Sequence, residues 1–373
     1  MKTAIIGAGV IGLALGWRLA QRGVAVEIFE REVAGCGASH AAAGMLAAGC
    51  EAEPGEAALG VLSRESLALW PAFAAEVEAA SGCEVGLRRE GTLLVALNRD
   101  DAAKLRHDMA FQRSQGIVLE WLTPGEARER EPYLAPQLAG AVFSPDDIQV
   151  DNRALLAALV VAFRRAGGIL HEGSPVSRVE TGPGRVAGVV VGEAVHEADV
   201  VVVAAGAWSG GIDLPVARPP VRPVKGQMLA VQMDAAAPLV RHVIWAPKAY
   251  LVPRADGRLI VGATVEERGF DARMTAGGLY ALLDGAWRAV PGIEDLPVIE
   301  TWVGFRPGSR DDAPILGPTA LPGLMLCCGH HRNGILLTPV TAAAMAATIL
   351  DGTPDPRLAA FSAGRFERLR SAA

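Results

Sequence analysis

The 373-residue sequence lacks an excess of basic charge: 35 Lys and Arg against 41 Asp and Glu give a formal charge of −6. That leaves no electrostatic footprint for a nucleic-acid partner. It also lacks an uninterrupted apolar run of the ~18 residues that would cross a bilayer. The nearest candidate, Thr338 to Leu350, is broken by threonines and too short, and reads as a packed terminal helix. Cysteine is scarce, at Cys36, Cys50, Cys83, Cys327 and Cys328, with no C-x-x-C pair among them. Adjacent cysteines such as Cys327 and Cys328 seldom bridge each other, so buried reduced thiols in a cytoplasmic protein are expected. No repeat or low-complexity tract is present. What the chain does have is 51% hydrophobic residues, 43 glycines and 24 prolines, enough for a large core and many turns. Its length suggests about two domains.

The first 23 residues, MKTAIIGAGVIGLALGWRLAQRG, admit two readings. A lysine before an apolar run resembles a secretory signal, which needs a continuous helix. Gly7, Gly9 and Gly12 interrupt that run, and glycine costs a helix interior roughly 1 kcal/mol relative to alanine. Their G-x-G-x-x-G spacing suits a dinucleotide site instead. Thr3 to Ile6 reads as a buried strand; the first glycine permits a tight turn, the second close approach of a pyrophosphate, and the third helix–sheet packing. A helix from Val10 to about Arg22 would face the phosphates with its N-terminal amides. Gly23 caps it, and Val24 to Phe29 is a second strand. Glu30 ends that strand, close to the ~20-residue offset at which an acidic side chain grips ribose hydroxyls. The motif alone leaves NAD and FAD both open.

Further along, the small-residue stretch Gly35 to Gly49 suggests a loop and helix pressed against a flat ligand. Leu62 to Ala80 has helical periodicity. Gly91 to Leu97 reads as a strand, Asp100 to Arg113 as a helix and Pro124 to Glu131 as a short helix. Asn152 is an expected N-cap for a helix to Ala166, followed by strands at Ile169 to His171, Gly188 to Val191 and Asp199 to Ala204. The proline-rich Pro215 to Pro223 marks a crossing point. Strands at Gln227 to Gln232, Tyr250 to Pro253 and Leu259 to Val261, with Asp256-Gly257 as a hairpin turn, suggest an antiparallel sheet. The block from Thr301 ends in a long alanine-rich helix. The expected fold is α/β: a Rossmann-type nucleotide-binding domain from residues 1–80, 146–216 and 301–373, interleaved with an α+β substrate domain from 81–145 and 217–300 that carries a mostly antiparallel sheet.

Three distant segments make a resemblance specific. Ala204 to Trp208 in VVVAAGAWSG, then GFRPGSRDDAPILG from Gly304 and GHHRNGILLTP from Gly329, resemble motifs of the D-amino-acid oxidase superfamily. ASHAAAGML, KAYLVPR, GATVEERGFD and GHHRNGILL together look like the glycine oxidases of thiamine biosynthesis. The similarity spans essentially the whole chain. It implies an FAD-dependent amino-acid oxidase. Hydride would pass from the substrate Cα to flavin N5, yielding an imino acid, with reoxidation by dioxygen to hydrogen peroxide.

The resemblance also implies roles for particular residues. Arg306 of G-x-R-P-G would hold the substrate carboxylate through its planar fork, assisted by the Tyr250 hydroxyl. The residue-level alternative for Arg306 is an ion pair with Asp311 or Asp312. Arg332 would lie beside the substrate, in a turn whose amides face the flavin edge where negative charge develops. His330 and His331 are expected to pack rather than act as a base. FAD contacts are implied at Gly7, Ala8, Gly9, Val10, Ile11, Gly12, Glu30, Arg31, Ser39, Ala42, Ala43, Gly44, Met45, Val176, Ala204, Ala205, Gly206 and Trp208. Further contacts fall on Arg306, His331, Arg332, Asn333, Gly334, Ile335 and Leu336. No metal is expected. Some relatives attach flavin through a cysteine just ahead of the last-but-one motif; none lies between Cys83 and Cys327 here, so the FAD is expected to be non-covalent. Val265, where some glycine oxidases carry a larger methionine, leaves room for glycine, sarcosine and small D-amino acids such as D-alanine. A homotetramer is implied by the same resemblance. The alternatives are a D-amino-acid dehydrogenase with a non-oxygen acceptor and a non-catalytic binding module.

Overall fold

The computed structural model describes residues 1–366; the last seven positions of the expected 301–373 piece lie outside the described residues. The N-terminal reading is realised as β1 (Lys2–Ile6), α1 (Val10–Ala20) and β2 (Ala25–Phe29), the two strands parallel. The glycines explain the tight turn between them. Gly7 sits at φ +106, and a Cβ there would stand 2.6 Å from the Ala204 carbonyl oxygen. A Cβ at Gly12 would stand 2.1 Å from the Gly7 oxygen, so α1 can pack this close to the sheet only without a side chain.

Among the described residues, β1 and β2 belong to a six-stranded sheet. Its order is Ile315–Pro318, Leu324–Cys328, Val200–Val203, β1, β2, Ile169–His171. Ile315–Pro318 is the antiparallel edge and the other pairings are parallel. Four-residue Val200–Val203 is buried on both faces, as its unbroken valine run dictates. Helices α1, Ala57–Ser81, Asn152–Arg165 and Thr338–Asp351 cover one face with a single apolar core. The opposite face is covered by a three-stranded meander, Val176–Gly182, Arg185–Val191 and Ala194–Glu197.

The second sheet has eight strands, in the order Val298–Gly308, Arg222–Gln232, Arg258–Gly262, Tyr250–Pro253, Val243–Trp245, Thr92–Ala96, Gly140–Ser144, Glu120–Leu122. It is antiparallel except where Val243–Trp245 meets Thr92–Ala96. One face packs beneath the helix Ala276–Ala289; the other presents Met228, Val252 and Ile260 toward Ala43 and Met45 of the first unit.

Several local expectations are corrected. The cap of the helix after residue 150 is Asp151, whose carboxylate accepts from the Arg153 and Ala154 amides at 3.0 and 3.1 Å. Asn152 is the first helical residue, and its side-chain amide instead donates to the Ser39 and His40 carbonyls at 2.8 and 3.0 Å. The boundary placed at 301 falls inside the strand Val298–Gly308, which pairs along its length with Arg222–Gln232. The terminal alanine-rich helix stops at Asp351, where Gly352 takes a left-handed φ of +69, and a 3-10 turn, Pro356–Phe361, follows. All five cysteines are free, but Cys36 and Cys83 are exposed rather than buried, each beside a glycine outside the helices and strands.

Candidate active site

A cavity of about 600 Å³ runs between the two sheets. Its floor is the end of α1. Gly9 caps that helix without a side-chain hydrogen bond, and the first turn holds no acidic residue. Among the described residues, the Val10 amide donates to Ser39 Oγ at 3.0 Å. An unneutralised helix N-terminus under glycines suits a pyrophosphate. Beside it the Glu30 carboxylate is fixed by the Ala8 and Glu32 amides, at 2.8 and 3.1 Å. Ala8 and Gly12, expected as cofactor contacts, do not line the cavity; they shape it from behind, Ala8 through that bond to Glu30 and Gly12 through its packing on Gly7.

The middle of the cavity is walled by Ala42–Met45 on one side and by His330–Leu336 on the other. Buried Arg254 pins the first wall: its guanidinium donates to Ala43 O and Gln149 Oε1, both at 2.6 Å, and to Asn152 Oδ1 at 3.1 Å. Trp70 Nε1 and Ser66 Oγ pin the second, donating to Leu336 O at 2.8 and 2.6 Å. The amides of Gly334, Ile335 and Leu336 have no backbone acceptor among the described residues. His331, at φ +47, lines the same wall; its buried Nδ1 has no hydrogen bond among the described residues and lies 3.9 Å from Asp312 Oδ1. Free donors and an orphaned ring nitrogen fit the polar edge of an isoalloxazine.

At the far end stand Tyr250 and Arg306. Arg306 donates to Thr264 O at 3.1 Å, and among the described residues it has no carboxylate partner. The ion pairs that would have occupied it are made elsewhere: Asp311 pairs with Arg365 at 2.8 Å and Asp312 with Arg222 at 3.4 Å. Gly226 makes room for the guanidinium, since a Cβ there would lie 2.6 Å from it. Burial pushes the Tyr250 phenol above its ordinary pKa, with Arg306 pulling the other way, so the hydroxyl stays a donor at neutral pH.

Arg332 also lines the cavity, but its charge is already answered. It lies 3.2 Å from Glu51 and 3.5 Å from both Glu53 and Glu56. Glu51 escaped the sequence reading, since nothing near it signals a partner 281 residues away. Burial raises its pKa to about 7, with Arg332 opposing the rise. His330 faces away, its Nε2 3.3 Å from Thr341 Oγ1. Burial lowers its pKa to about 3, and that of His331 to about 4.

These shifts carry a sign. A histidine held neutral in the fold binds its proton first in the unfolded chain, so stability is lost as pH falls below 6.5. The slope is about 1.4 kcal/mol per pH unit for each such group. For His330 the window runs down to about pH 3. Glu51 acts oppositely, losing stability as pH rises from 4.5 to about 7. We expect His330→Asn to flatten the acid side of the urea-unfolding free energy plotted against pH. Parallel wild-type and variant curves between pH 6.5 and 4 would remove His330 from that account.

Comparison with known proteins decides the family. The profile of the family described as DAO, FAD dependent oxidoreductase, matches residues 2–348. The chain belongs to this family. Such a member binds FAD, which the cavity's helix end, Glu30 and two walls would hold. Among relatives, the glycine oxidase of Geobacillus kaustophilus is 40% identical over 343 residues, covering 91% of this chain and 90% of that one. The bifunctional protein ThiO/ThiG of Trichormus variabilis is 36% identical over 370 residues, 98% of this chain and 55% of its own length. The crystal structure of the Geobacillus glycine oxidase superposes with a TM-score of 0.91 at 38% identity, covering 97% of this oxidoreductase and 98% of the other chain.

Proposed function

We propose that this FAD-dependent oxidoreductase oxidises glycine, and less readily sarcosine and small D-amino acids such as D-alanine, to the imino acid. The observation that carries the reading is the unpaired Arg306 guanidinium beside the Tyr250 hydroxyl on the wall of the FAD cavity. A carboxylate is the ligand such a pair selects. Arg306 would clamp it bidentately and Tyr250 would donate to it, turning the substrate Cα–H toward the cavity's middle. When bound, FAD supplies the two-electron acceptor for that hydrogen and the site of reoxidation by dioxygen, with release of hydrogen peroxide. The amine must be neutral at that step; of the two cavity-wall histidines among the described residues, His330 is turned to Thr341 Oγ1 and His331 would face the flavin edge. Likeness to glycine oxidases across nine-tenths of the chain supports the substrate class; the imine would then serve a thiazole-forming pathway of the thiamine type.

Anaerobic titration of the purified protein with glycine tests the proposal: the visible flavin bands should bleach. Bleaching only with long or aromatic D-amino acids would overturn it. Under air, turnover with peroxide formation is expected, whereas turnover with a dye under nitrogen alone would indicate a dehydrogenase.

The FAD is proposed to be non-covalent. Attachment requires a thiolate, and the cysteines on the cavity are held as thiols: burial pushes Cys328 up to about 12 and Cys327 well above its ordinary value, while partial desolvation beside the Glu30 and Glu32 carboxylates raises Cys36. Acid precipitation should therefore leave the yellow chromophore in the supernatant; colour in the pellet would contradict this.

A further inference from the structure

Between the strand Arg258–Gly262 and the helix Ala276–Ala289, residues 263–275 form an irregular strap. Its underside is fastened by buried groups. Lys225, 1% exposed, donates from Nζ to Arg273 O at 2.7 Å. The Gln227 side chain donates to Glu266 Oε1 at 2.7 Å and accepts from the Thr275 amide at 2.8 Å. Lys225 and Glu266 exchange backbone bonds of 2.9 and 3.0 Å. Such a fastening leaves the strap little freedom, yet what it presents outward is Phe270, an apolar ring that is 47% exposed.

Phe270 lies on Trp208, with ring centroids 5.1 Å apart and planes 15° from parallel, and meets Phe305 edge-on at 5.3 Å. The Arg31 guanidinium lies 3.6 Å from the centre of the same indole. Trp208, Arg31 and Phe305 line the cavity; Phe270 does not. Arg31 directly follows Glu30, the ribose position, so this stack stands at the adenosine end. Arg31's one carboxylate partner among the described residues, Glu32 at 2.7 Å, is largely in solvent and holds it weakly. The indole face is what fixes Arg31, and Phe270 is what covers the indole.

We propose that Phe270 is a cofactor-retention residue: the strap lays its ring on Trp208 so that Trp208 and Arg31 stay closed over the adenosine half of FAD. The inference rests on FAD and not on the substrate proposed above, so a failed glycine titration leaves it standing.

The test follows FAD release from the purified holoprotein on dilution, read as recovery of flavin fluorescence, with ADP as competitor for rebinding. An aromatic pair of this geometry is worth about tenfold in an equilibrium constant. Phe270→Ala should release FAD about tenfold faster and weaken ADP competition in parallel, while Phe270→Trp should stay within about twofold of the parent. The thermal midpoint at saturating FAD should fall in Phe270→Ala only by what about tenfold weaker FAD binding accounts for, and should stay that of the parent in Phe270→Trp. Release from Phe270→Ala within about twofold of the parent would overturn the proposal. So would a midpoint lowered beyond that amount with no rescue by tryptophan, which would mark the ring as structural only.

Discussion

Arg306→Ala should lower kcat/KM for glycine by about 10²–10³, almost all of it in KM, while the flavin spectrum and FAD content stay those of the parent. The size follows from losing two charge-assisted hydrogen bonds to one carboxylate, about 3–4 kcal/mol in sum. The direction of the split follows from where Arg306 sits. Its one hydrogen bond within the described chain is to Thr264 O, so the fold loses little when the side chain is cut. The carboxylate it would hold keeps its charge while the adjacent Cα–H bond breaks and positive charge develops on the amine nitrogen, so ground state and transition state lose alike. Two neighbours calibrate the result. Arg306→Lys keeps the charge without the fork and should fall between the two. Tyr250→Phe should cost about tenfold, the worth of one hydrogen bond to a charged group. Steady-state oxygen uptake against glycine measures all three, and an unchanged KM in Arg306→Ala would place the carboxylate elsewhere.

That prediction was legible in the sequence because its signal is local. Gly304 to Gly317 carries its own motif, as do the G-x-G-x-x-G loop and the turn after Gly329. Residues named from those motifs line the cavity, Ala8 and Gly12 excepted. What could not be read was whatever depends on partners far apart in the chain. Arg332 could be named, but not the three carboxylates that surround it, since Glu51, Glu53 and Glu56 stand in a stretch without periodicity. Arg306 and Asp311 lie close enough in sequence to suggest an ion pair, yet Arg365 takes the aspartate from 54 positions away. The strand from Val298 began unseen because its first residues, Val298 and Ile299, are exposed on an edge and show no alternation. Asn152 and its neighbour Asp151 rank alike as caps, so cap preference alone does not choose between them. Tertiary demand on the Asn152 amide, from Ser39 and His40, settled the register.

Arg254 shows the same limit at the largest cost. It stands in KAYLVPR, a segment conspicuous for Tyr250, and nothing in the sequence distinguishes it from a surface arginine. In the fold it is 5% exposed and ties Ala43, Gln149 and Asn152 together. Burial lowers its pKa to about 10, so it remains charged at neutral pH. Its Nε is buried without a partner and lies 3.8 Å from Asp151 Oδ2. Arg254→Leu would leave a carbonyl and two side-chain oxygens unpaired in a closed space, and we expect a loss of about 3–5 kcal/mol of unfolding free energy. Asp151 itself should survive, because Arg258 reaches it at 2.7 Å and it caps the following helix. Function should fail along with stability. The Ala43 carbonyl belongs to the cavity wall that would face the flavin ring. The adjacent Gly44 holds φ +72 with a Cβ position 2.0 Å from Val150 O, so that segment has no other low-strain path. The purified variant should therefore show a low ratio of flavin to protein absorbance as well as a lower urea midpoint. Arg254→Lys restores the charge but cannot span three acceptors, and should recover only part of both. Full flavin content with normal stability in Arg254→Leu would mean that the wall holds itself, and that the arginine is only its neighbour.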